Sequence, residues 1–302
     1  MSDIQYGMRK LISKEQMHAR MQRRVMLDRI ARKAFSLTII FALIVLGILI
    51  YQVVSQSIGW LDWEFLTGKL SIRAERAGIK SVIMGTLLLM TVVAPVTLFL
   101  GLGTAIYMEE YSQKGFIRNV INTNISNLSG VPSVIFGLLG LTVFGRMLNL
   151  GSSVLAGGLT MSLLVLPIIV VSSQEALRAV PNSMREASYA LGATKWTTVR
   201  KVVLPAALPG IMTGSILSLS RAIGETAPLV VLGIPTLILK MPTSIMDDFT
   251  ALPIQIYYWT LDTVLTKEYA NLAAATSVVL LVTLFFMNSL AIIIRNKFQN
   301  RY

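Results

Sequence analysis

Six long stretches of this sequence contain no Asp, Glu, Lys or Arg, although 14% of its 302 residues carry a charge. They are residues 34–61, 81–108, 119–145, 147–174, 202–220 and 269–294. A helix that crosses the hydrocarbon core of a bilayer needs about 20 mostly apolar residues, and each stretch can supply one. The pattern predicts an all-α integral membrane protein with six transmembrane helices.

The predicted spans divide the chain into a basic amino-terminal arm (1–35), a transmembrane domain (36–294) and a short tail (295–302). We place the six spans at residues 36–56, 82–107, 125–145, 153–173, 208–234 and 270–294. The fifth span contains two charges, because the apolar pattern continues through Arg221 and Glu225.

The distribution of basic residues predicts the orientation of the chain, since cytoplasmic segments hold an excess of Lys and Arg. With the amino terminus inside, the inner segments carry 19 of the 27 Lys and Arg residues, the outer segments carry seven, and Arg221 is the last. Both termini of this multi-pass protein are therefore predicted to be cytoplasmic. The basic arm is expected to contact anionic lipid.

Composition excludes several classes of function. The chain has no Cys, and His18 is its single histidine, so it lacks the residues for thiolate or histidine metal sites and for Ser-His catalysis. Its net charge of +12 does not predict nucleic-acid binding, because the charges are excluded from long stretches and do not cover a solvated face.

The predicted inner loop 174–207 fits two amphipathic helices. Asn182 is placed to cap the first helix and Gly192 to end it. Thr194 is placed to cap the second helix, which Leu204–Pro205 is expected to end. A surface hairpin that covers the ends of its own spans explains this pattern equally well on physical grounds alone.

The spacing in this loop resembles the EAA loop of the permeases of binding-protein-dependent ABC importers. That pattern is Glu-Ala-Ala, three residues, Gly, nine residues, Ile, any residue, Leu-Pro; here Ser188 replaces the second Ala and Val202 replaces Ile. The resemblance implies a protein of a bacterial inner membrane. It also implies that loop 174–207 is a coupling loop, which docks on a cytosolic ATPase through Glu186, Ala187, Ser188, Gly192, Leu204 and Pro205. No GxxxxGK[ST] phosphate loop occurs in the sequence, so ATP and Mg²⁺ are expected on that partner, and this chain is not expected to be an enzyme or to hold a cofactor.

Span five carries Arg221 and Glu225, which on one helix would be neighbours on the same face. A charge near the bilayer centre costs about 2.5–3.5 kcal/mol, so the pair should face protein, water or each other. One interpretation is a permanent ion pair that fastens the span to its neighbours. The interpretation we favour places Arg221 on the route of an oxyanion, with Glu225 holding it between transport events.

The segment Ser220–Gly233 resembles the signature of phosphate-specific ABC importer permeases. Val131–Ser133 and Leu252–Tyr257 also resemble these permeases, and Ala227–Leu229 indicates the A-type member of the permease pair. The resemblance implies a homologous second permease, an ATPase homodimer and an extracytoplasmic phosphate-binding protein as partners. The predicted substrate-pathway residues are Ser218, Arg221, Glu225 and Thr226.

Three other functions remain open on the sequence. The same architecture suits import of another oxyanion, such as sulfate, molybdate or phosphonate. A proton-driven secondary transporter would use Glu225 as its proton carrier. A structural membrane scaffold would use the charged pair for assembly alone.

Overall fold

The computed structural model of the chain describes residues 14–113, 115–238 and 240–299, and the fold within these ranges is helical. Their α-helices are α1 (Lys14–Ser57), α2 (Trp63–Thr67), α3 (Lys80–Ile106), α4 (Phe116–Leu128), α5 (Ser133–Leu139), α6 (Val154–Arg178), α7 (Asn182–Ala190), α8 (Lys195–Thr198), α9 (Leu204–Gly224), α10 (Ala227–Leu232), α11 (Leu252–Asp262) and α12 (Glu268–Gln299). Extended backbone pairs in these ranges only at one antiparallel bridge, between Ser153 and Asp248. The predicted all-α class is confirmed.

Short helical turns of other types extend several of these helices. Residues Ala74–Arg76 form a 3₁₀ turn, and π-helical turns continue α3 (Tyr107–Tyr111), continue α5 (Gly140–Met147) and join α8 to α9 (Val199–Val203). π-Helical turns are often found at functional sites. The first of these lies beside the predicted coupling loop and the third lies within it.

Among the described residues, five helical segments are long and apolar enough to cross a membrane: Arg24–Ser57, Lys80–Tyr111, Val154–Arg178, Lys195–Gly224 and Glu268–Lys297. Each overlaps one predicted span. The remaining predicted span corresponds to a bent pair of helices, so the number of spans is six when that pair counts as one.

The chain divides into two compact units, residues 1–55 and residues 56–302. Within the described part of the first unit, α1 is a single long helix that begins in the predicted basic arm and runs through the first charge-free stretch. The predicted arm 1–35 and tail 295–302 extend beyond the described residues, and the division into arm, transmembrane domain and tail stays a prediction.

Helices α3 and α6 form the centre of the second unit. Val93 of α3 and Met161 and Ile169 of α6 are completely buried between them. Membrane helices associate largely by close packing of small residues, and α6 supplies these: a Cβ on Gly157 or Gly158 would lie within 2.6 Å of the Phe249 or Val92 side chain. The core is therefore built on tight helix-to-helix contact.

The third span is not the single helix predicted at 125–145. α4 ends at Leu128, α5 begins at Ser133, and the two are bent by 105°. Pro132 explains the break, because it lacks a backbone N–H and disfavours helical backbone at the residue before it, Val131.

The fifth span also differs from the single helix predicted at 208–234. Its helix begins at Lys195, passes through the π-helical turn into α9, and ends at Gly224. After the break at Glu225–Thr226 the chain forms α10, near whose start Pro228 lies. A continuous helix would bring the Pro228 ring against the carbonyl of Gly224, four residues earlier.

Candidate functional site

The span-five break, Glu225–Thr226, separates the two charges that the sequence placed on one helical face. Arg221 lies exposed in the last turn of α9, whereas Glu225 has extended backbone (φ −82°, ψ 124°) and is half-buried. Among the described residues, neither side chain forms a salt bridge within 4.0 Å. The prediction that Arg221 and Glu225 are neighbours on one helical face is wrong, because the helix ends at Gly224 and Glu225 lies outside it.

The other two predicted pathway residues lie on either side of this break. Ser218 is buried, and its hydroxyl donates to the Gly214 carbonyl at 2.8 Å, so it faces the packed side of α9. Thr226 is half-buried, and its carbonyl accepts the backbone N–H groups of Leu229 and Val230 at the start of α10. The structure therefore places Arg221, Glu225 and Thr226 at the break. Ser218 instead faces the packed side of α9.

The small residues of span five serve close packing. A Cβ on Gly210 would lie 2.9 Å from the Ala176 side chain, and one on Gly214 would lie 2.6 Å from Ser172. Both partners are on α6.

Two hydrogen bonds also join α9 to α12: the Ser220 hydroxyl donates to the Asn288 amide oxygen, and Arg295 donates to Thr213 at 3.2 Å. These contacts anchor α9 on two sides.

The two interrupted spans meet at a glycine. A Cβ on Gly137 of α5 would lie 2.8 Å from the Pro228 carbonyl oxygen and 2.8 Å from the Val231 side chain, so α5 and α10 are in direct backbone contact. Irregular backbone at membrane depth is tolerated where it is buried in protein or lines a water-filled cavity, and broken helices form substrate sites in many transporters. The span-five break, held by this contact and carrying Arg221, is the candidate substrate site.

The predicted coupling loop folds as two helices with a glycine between them. α7 begins at Asn182, which has no side-chain cap before it, so Asn182 is the first helical residue and not its predicted cap. Gly192 has φ +77°, a left-handed conformation that favours glycine. Thr194 caps α8 as predicted, accepting from the Thr197 backbone N–H at 3.3 Å.

Leu204 and Pro205 do not end the second helix of the loop, contrary to the prediction. The π-helical turn Val199–Val203 passes directly into α9, and Pro205 lies in its first turn. Proline is tolerated inside this continuous membrane helix, because local π-helical adjustment lets the freed backbone groups find other partners. Both side chains are half-buried where the loop joins span five.

The loop presents its motif residues and several apolar side chains outward. Glu186, Ala187 and Gly192 are exposed, whereas the Ser188 hydroxyl bonds the Thr198 hydroxyl at 2.9 Å and joins the two helices. In the loop tip, residues 189–196, Leu191 is 89% exposed and Trp196 is 60% exposed. Contiguous exposed apolar side chains of this kind mark protein interaction surfaces.

A buried acidic pair, Glu109 and Glu110, attaches this loop to span two, and the sequence reasoning missed it. Glu110 is 6% exposed and accepts from the Arg185 guanidinium of α7 at 2.8 and 3.3 Å. Arg185 also donates to the backbone carbonyls of Val180 (2.7 Å) and Leu177 (2.9 Å). The first loop helix is thus fixed to both α3 and α6.

The other member of the acidic pair joins two more elements. Glu109, 8% exposed, accepts from Arg118 of α4 at 3.0 Å and from Arg178 of α6 at 2.6 Å. One turn at the end of span two therefore holds α4, α6 and α7 together. The signal in the sequence is two adjacent carboxylates in a predicted inner segment whose basic residues are Lys114 and Arg118.

No metal centre is formed by the described residues, in which no three His, Asp or Glu side chains converge. The chemistry of the candidate site therefore consists of a guanidinium, a carboxylate and hydroxyl groups at a break in a helix.

Comparison with known proteins identifies the family. The family described as "Binding-protein-dependent transport system inner membrane component" matches residues 98–301, more than half of the chain. The chain belongs to this family. It is a membrane permease subunit of an ABC importer, in a family of non-catalytic subunits. Membership favours the ABC class over the proton-driven carrier and the structural scaffold that the sequence left open.

Two relatives illustrate the range of the family. A Bacillus subtilis protein named "Probable ABC transporter permease protein YqgI" is 34% identical over 203 residues, covering 67% of this chain and 69% of that protein. A Mycobacterium tuberculosis protein named "Phosphate transport system permease protein PstA 1" is 36% identical over 216 residues, covering 70% of each.

Solved structures support the same fold. A bacterial ABC transporter involved in import of the acidic polysaccharide alginate has a chain that matches with a TM-score of 0.60 and 19% identity, covering 90% of this chain and 98% of that one. The inward-facing MetNI methionine transporter matches with a TM-score of 0.58 and 19% identity, covering 73% and 95%. At these identities the likeness shows the fold alone.

Proposed function

We propose that this chain is one of two permease subunits of an ATP-driven importer of inorganic phosphate, with a homologous second permease forming the other half of the pathway. The observation that carries the proposal is Arg221, a guanidinium in a candidate membrane span with no carboxylate within 4.0 Å among the described residues. A planar guanidinium suits two-point contact with a tetrahedral oxyanion. The relatives named as phosphate permeases support phosphate as that anion.

We further propose that the loop tip docks on a cytosolic ATPase dimer, which would hold ATP and Mg²⁺. The exposed Leu191 and Trp196 suit an apolar groove on such a partner. The acidic pair supports the proposal. It connects α7, the loop helix that the ATPase would push, with α3, α4 and α6. Both termini would then be cytoplasmic, as the excess of inner basic residues indicates.

The proposed transport cycle alternates access to the span-five break. ATP binding would close the ATPase dimer and move α7 and α8, and the spans would open the break outward to a phosphate-loaded extracytoplasmic binding protein. Hydrolysis would reset the complex as phosphate passes Arg221. Each partner must favour one of the two states, because a ligand shifts a conformational equilibrium only by its differential affinity.

The ATPase activity of the reconstituted complex tests the anion directly. We expect stimulation by binding protein loaded with phosphate, and no stimulation by binding protein offered sulfate, molybdate or phosphonate. Stimulation by one of these anions and not by phosphate would replace phosphate with that anion and leave the architecture unchanged.

Gly192→Ala tests the coupling role of the loop. The left-handed conformation of Gly192 (φ +77°) strains any residue with a Cβ, so α7 and α8 should lose their relative placement and phosphate uptake should fall several-fold. Gly103→Ala in α3 is the matched control, because its Cβ would meet no atom within 4 Å. Equal uptake in the two variants would contradict coupling through this loop.

A further inference from the structure

A pocket of about 310 Å³ opens where the segment before α3 meets the segment between α10 and α11. Three lysines line it: Lys69 from the first segment, Lys80 from the start of α3, and Lys240 from the second segment. In the described part of the chain, none of the three ammonium groups lies within 4.0 Å of a carboxylate. Like charges gathered around one concave surface raise the local concentration of anions.

The backbone fixes two of these lysines side by side. The Gly78 N–H donates to the Lys69 carbonyl at 2.8 Å, and the Lys80 N–H donates to the Gly68 carbonyl at 3.2 Å. The two strands of chain are in such close contact that a Cβ on Gly78 would lie 2.4 Å from the Gly68 carbonyl carbon. Lys69 and Lys80 are therefore held at one edge of the pocket.

The pocket also contains an unused hydrogen-bonding group. Ser81 lines it and is 6% exposed, yet its hydroxyl has no partner among the described residues. Thr86, one turn further along α3, uses its hydroxyl in the ordinary way and donates to the Val82 carbonyl. A buried polar group without a partner is costly, and a ligand in the pocket would supply that partner.

The amino end of α3 adds to the attraction for an anion. No side chain caps this helix, and a helix amino terminus presents free N–H groups and the positive end of the helix dipole. Asp247, an acid on the same segment as Lys240, already accepts from the Thr243 and Ser244 backbone N–H groups and the Thr243 hydroxyl. These hydrogen bonds, with Lys240 contributing, lower the pKa of Asp247.

We propose that this pocket binds a phosphate group, which is a tetrahedral oxyanion, through Lys69, Lys80, Lys240 and the Ser81 hydroxyl. The pocket lies at the opposite end of span two from the acidic pair: the helical segment Lys80–Tyr111 is 32 residues long, about 48 Å at 1.5 Å per residue. It is therefore on the side where the proposed importer would receive its substrate. The proposal rests on the proposed function only for the identity of the transported anion.

Two sources can supply such a phosphate group, the free anion and a phospholipid headgroup. Acetylation of lysines in the purified full complex, quantified by mass spectrometry, separates them. One arm uses phospholipid-free detergent micelles with inorganic phosphate, against chloride at equal ionic strength. The other arm uses nanodiscs of anionic phospholipid without free phosphate.

We expect inorganic phosphate in micelles to slow acetylation of Lys69, Lys80 and Lys240 about two- to fivefold, the size of an exposed ion-pair contribution, in a saturable way. Lys267, an exposed lysine outside the pocket, is the internal control. Ser81→Ala should weaken the protection without a change of charge. High salt should weaken it as well.

Protection in the nanodisc arm alone would identify a lipid headgroup as the source of the phosphate group. Equal rates in all arms, or equal slowing at Lys267, would overturn the pocket. Because acetylation does not require transport, this result is independent of the test of phosphate import. Where the free anion protects, Lys240→Gln should raise the KM for uptake about two- to fivefold relative to Lys267→Gln.

Discussion

Arg221 is the residue whose surroundings differ most from a permanent ion pair. A fastening role needs Glu225 beside it, but the helix ends at Gly224 and neither charge forms a salt bridge within the described ranges. A guanidinium in a membrane span without a fixed counter-charge is costly. Transient binding of an anion would offset that cost, which supports the transport role that we propose.

Arg221→Gln removes the charge and leaves a shorter, polar amide side chain. We expect phosphate uptake to fall about 10- to 100-fold, because a hydrogen bond to a charged group contributes about 1.5–3 kcal/mol. Arg221→Lys keeps the charge but loses the planar fork, so its uptake should be intermediate. Copurification with the second permease and the ATPase should be unchanged in both. Normal uptake in Arg221→Gln would return the residue to a structural role.

Gly137 holds the two interrupted spans together, and a single methyl group tests that contact. In Gly137→Ala the new Cβ would lie 2.8 Å from the Pro228 carbonyl oxygen, so α5 and α10 must separate. We expect a loss of about 1–3 kcal/mol, as for other overpacked sites, seen as a lower thermal unfolding midpoint in detergent. Gly103→Ala, which has open space around its Cβ, should not lower the midpoint. Equal midpoints would contradict the contact.

At the scale of elements, the acidic pair makes the end of span two the junction of the inner helices. Glu110 and Arg185 are 6% and 16% exposed, whereas the Glu175–Arg178 bridge nearby is 65% and 46% exposed. Removing one partner of a buried pair leaves an uncompensated charge, and exposed pairs contribute little. The two bridges are therefore a natural matched comparison.

Glu110→Gln should destabilise the chain by about 3–5 kcal/mol, and Glu175→Gln by at most about 1 kcal/mol. Thermal unfolding of the purified complex measures both. If the junction also transmits movement, Glu110→Gln complexes that remain folded should hydrolyse ATP with reduced phosphate uptake per ATP. Equal stability of the two variants would show that the Glu110–Arg185 bridge is energetically unimportant.

Hydropathy alone located the spans but did not locate their interruptions. Apolar content adds along the chain, so the charge-free stretches identify segments that can cross a bilayer whatever packs beside them. A break depends on whether freed backbone groups find partners, which is decided by contacts such as Gly137 with Pro228. The local signals were nevertheless present as Pro132 in span three and Pro228 four residues after Gly224.

The coupling loop shows the same division between local and tertiary information. Gly192 and Thr194 act as predicted, because a left-handed turn and a helix cap are set by adjacent residues. Leu204–Pro205 was misjudged, since a proline that ends a helix and a proline that an adjacent π-helical turn accommodates look alike in sequence. The acidic pair was missed because its partners are up to 75 residues away.

At the scale of the whole molecule, the net charge of +12 reflects how basic residues are distributed between the two predicted sides of the membrane. The predicted inner segments hold the excess of basic residues, and the structure uses two of their few acids, Glu109 and Glu110, to bind Arg118, Arg178 and Arg185. The same basic residues therefore contribute to the predicted orientation of the chain and to the ion pairs that join its inner helices. The orientation can be measured directly.

Single-cysteine labelling tests the orientation cleanly, because the natural chain contains no Cys. Leu191 at the loop tip and Val264 between α11 and α12 are 89% and 90% exposed. We expect a membrane-impermeant maleimide to label Val264→Cys in spheroplasts, and to label Leu191→Cys only after the membrane is opened. Binding of the ATPase should then protect Leu191→Cys and leave Val264→Cys reactive.

Arg200→Cys and Thr266→Cys, two further exposed positions, repeat the comparison away from the loop tip. The excess of inner Lys and Arg requires position 200 to follow Leu191 and position 266 to follow Val264. Labelling of the loop positions from outside would invert the topology, and with it the side assigned to the lysine pocket. If Leu191→Cys stays reactive in the intact complex with its ATPase, the loop tip is not the docking surface. That result would not change the predicted orientation of the chain.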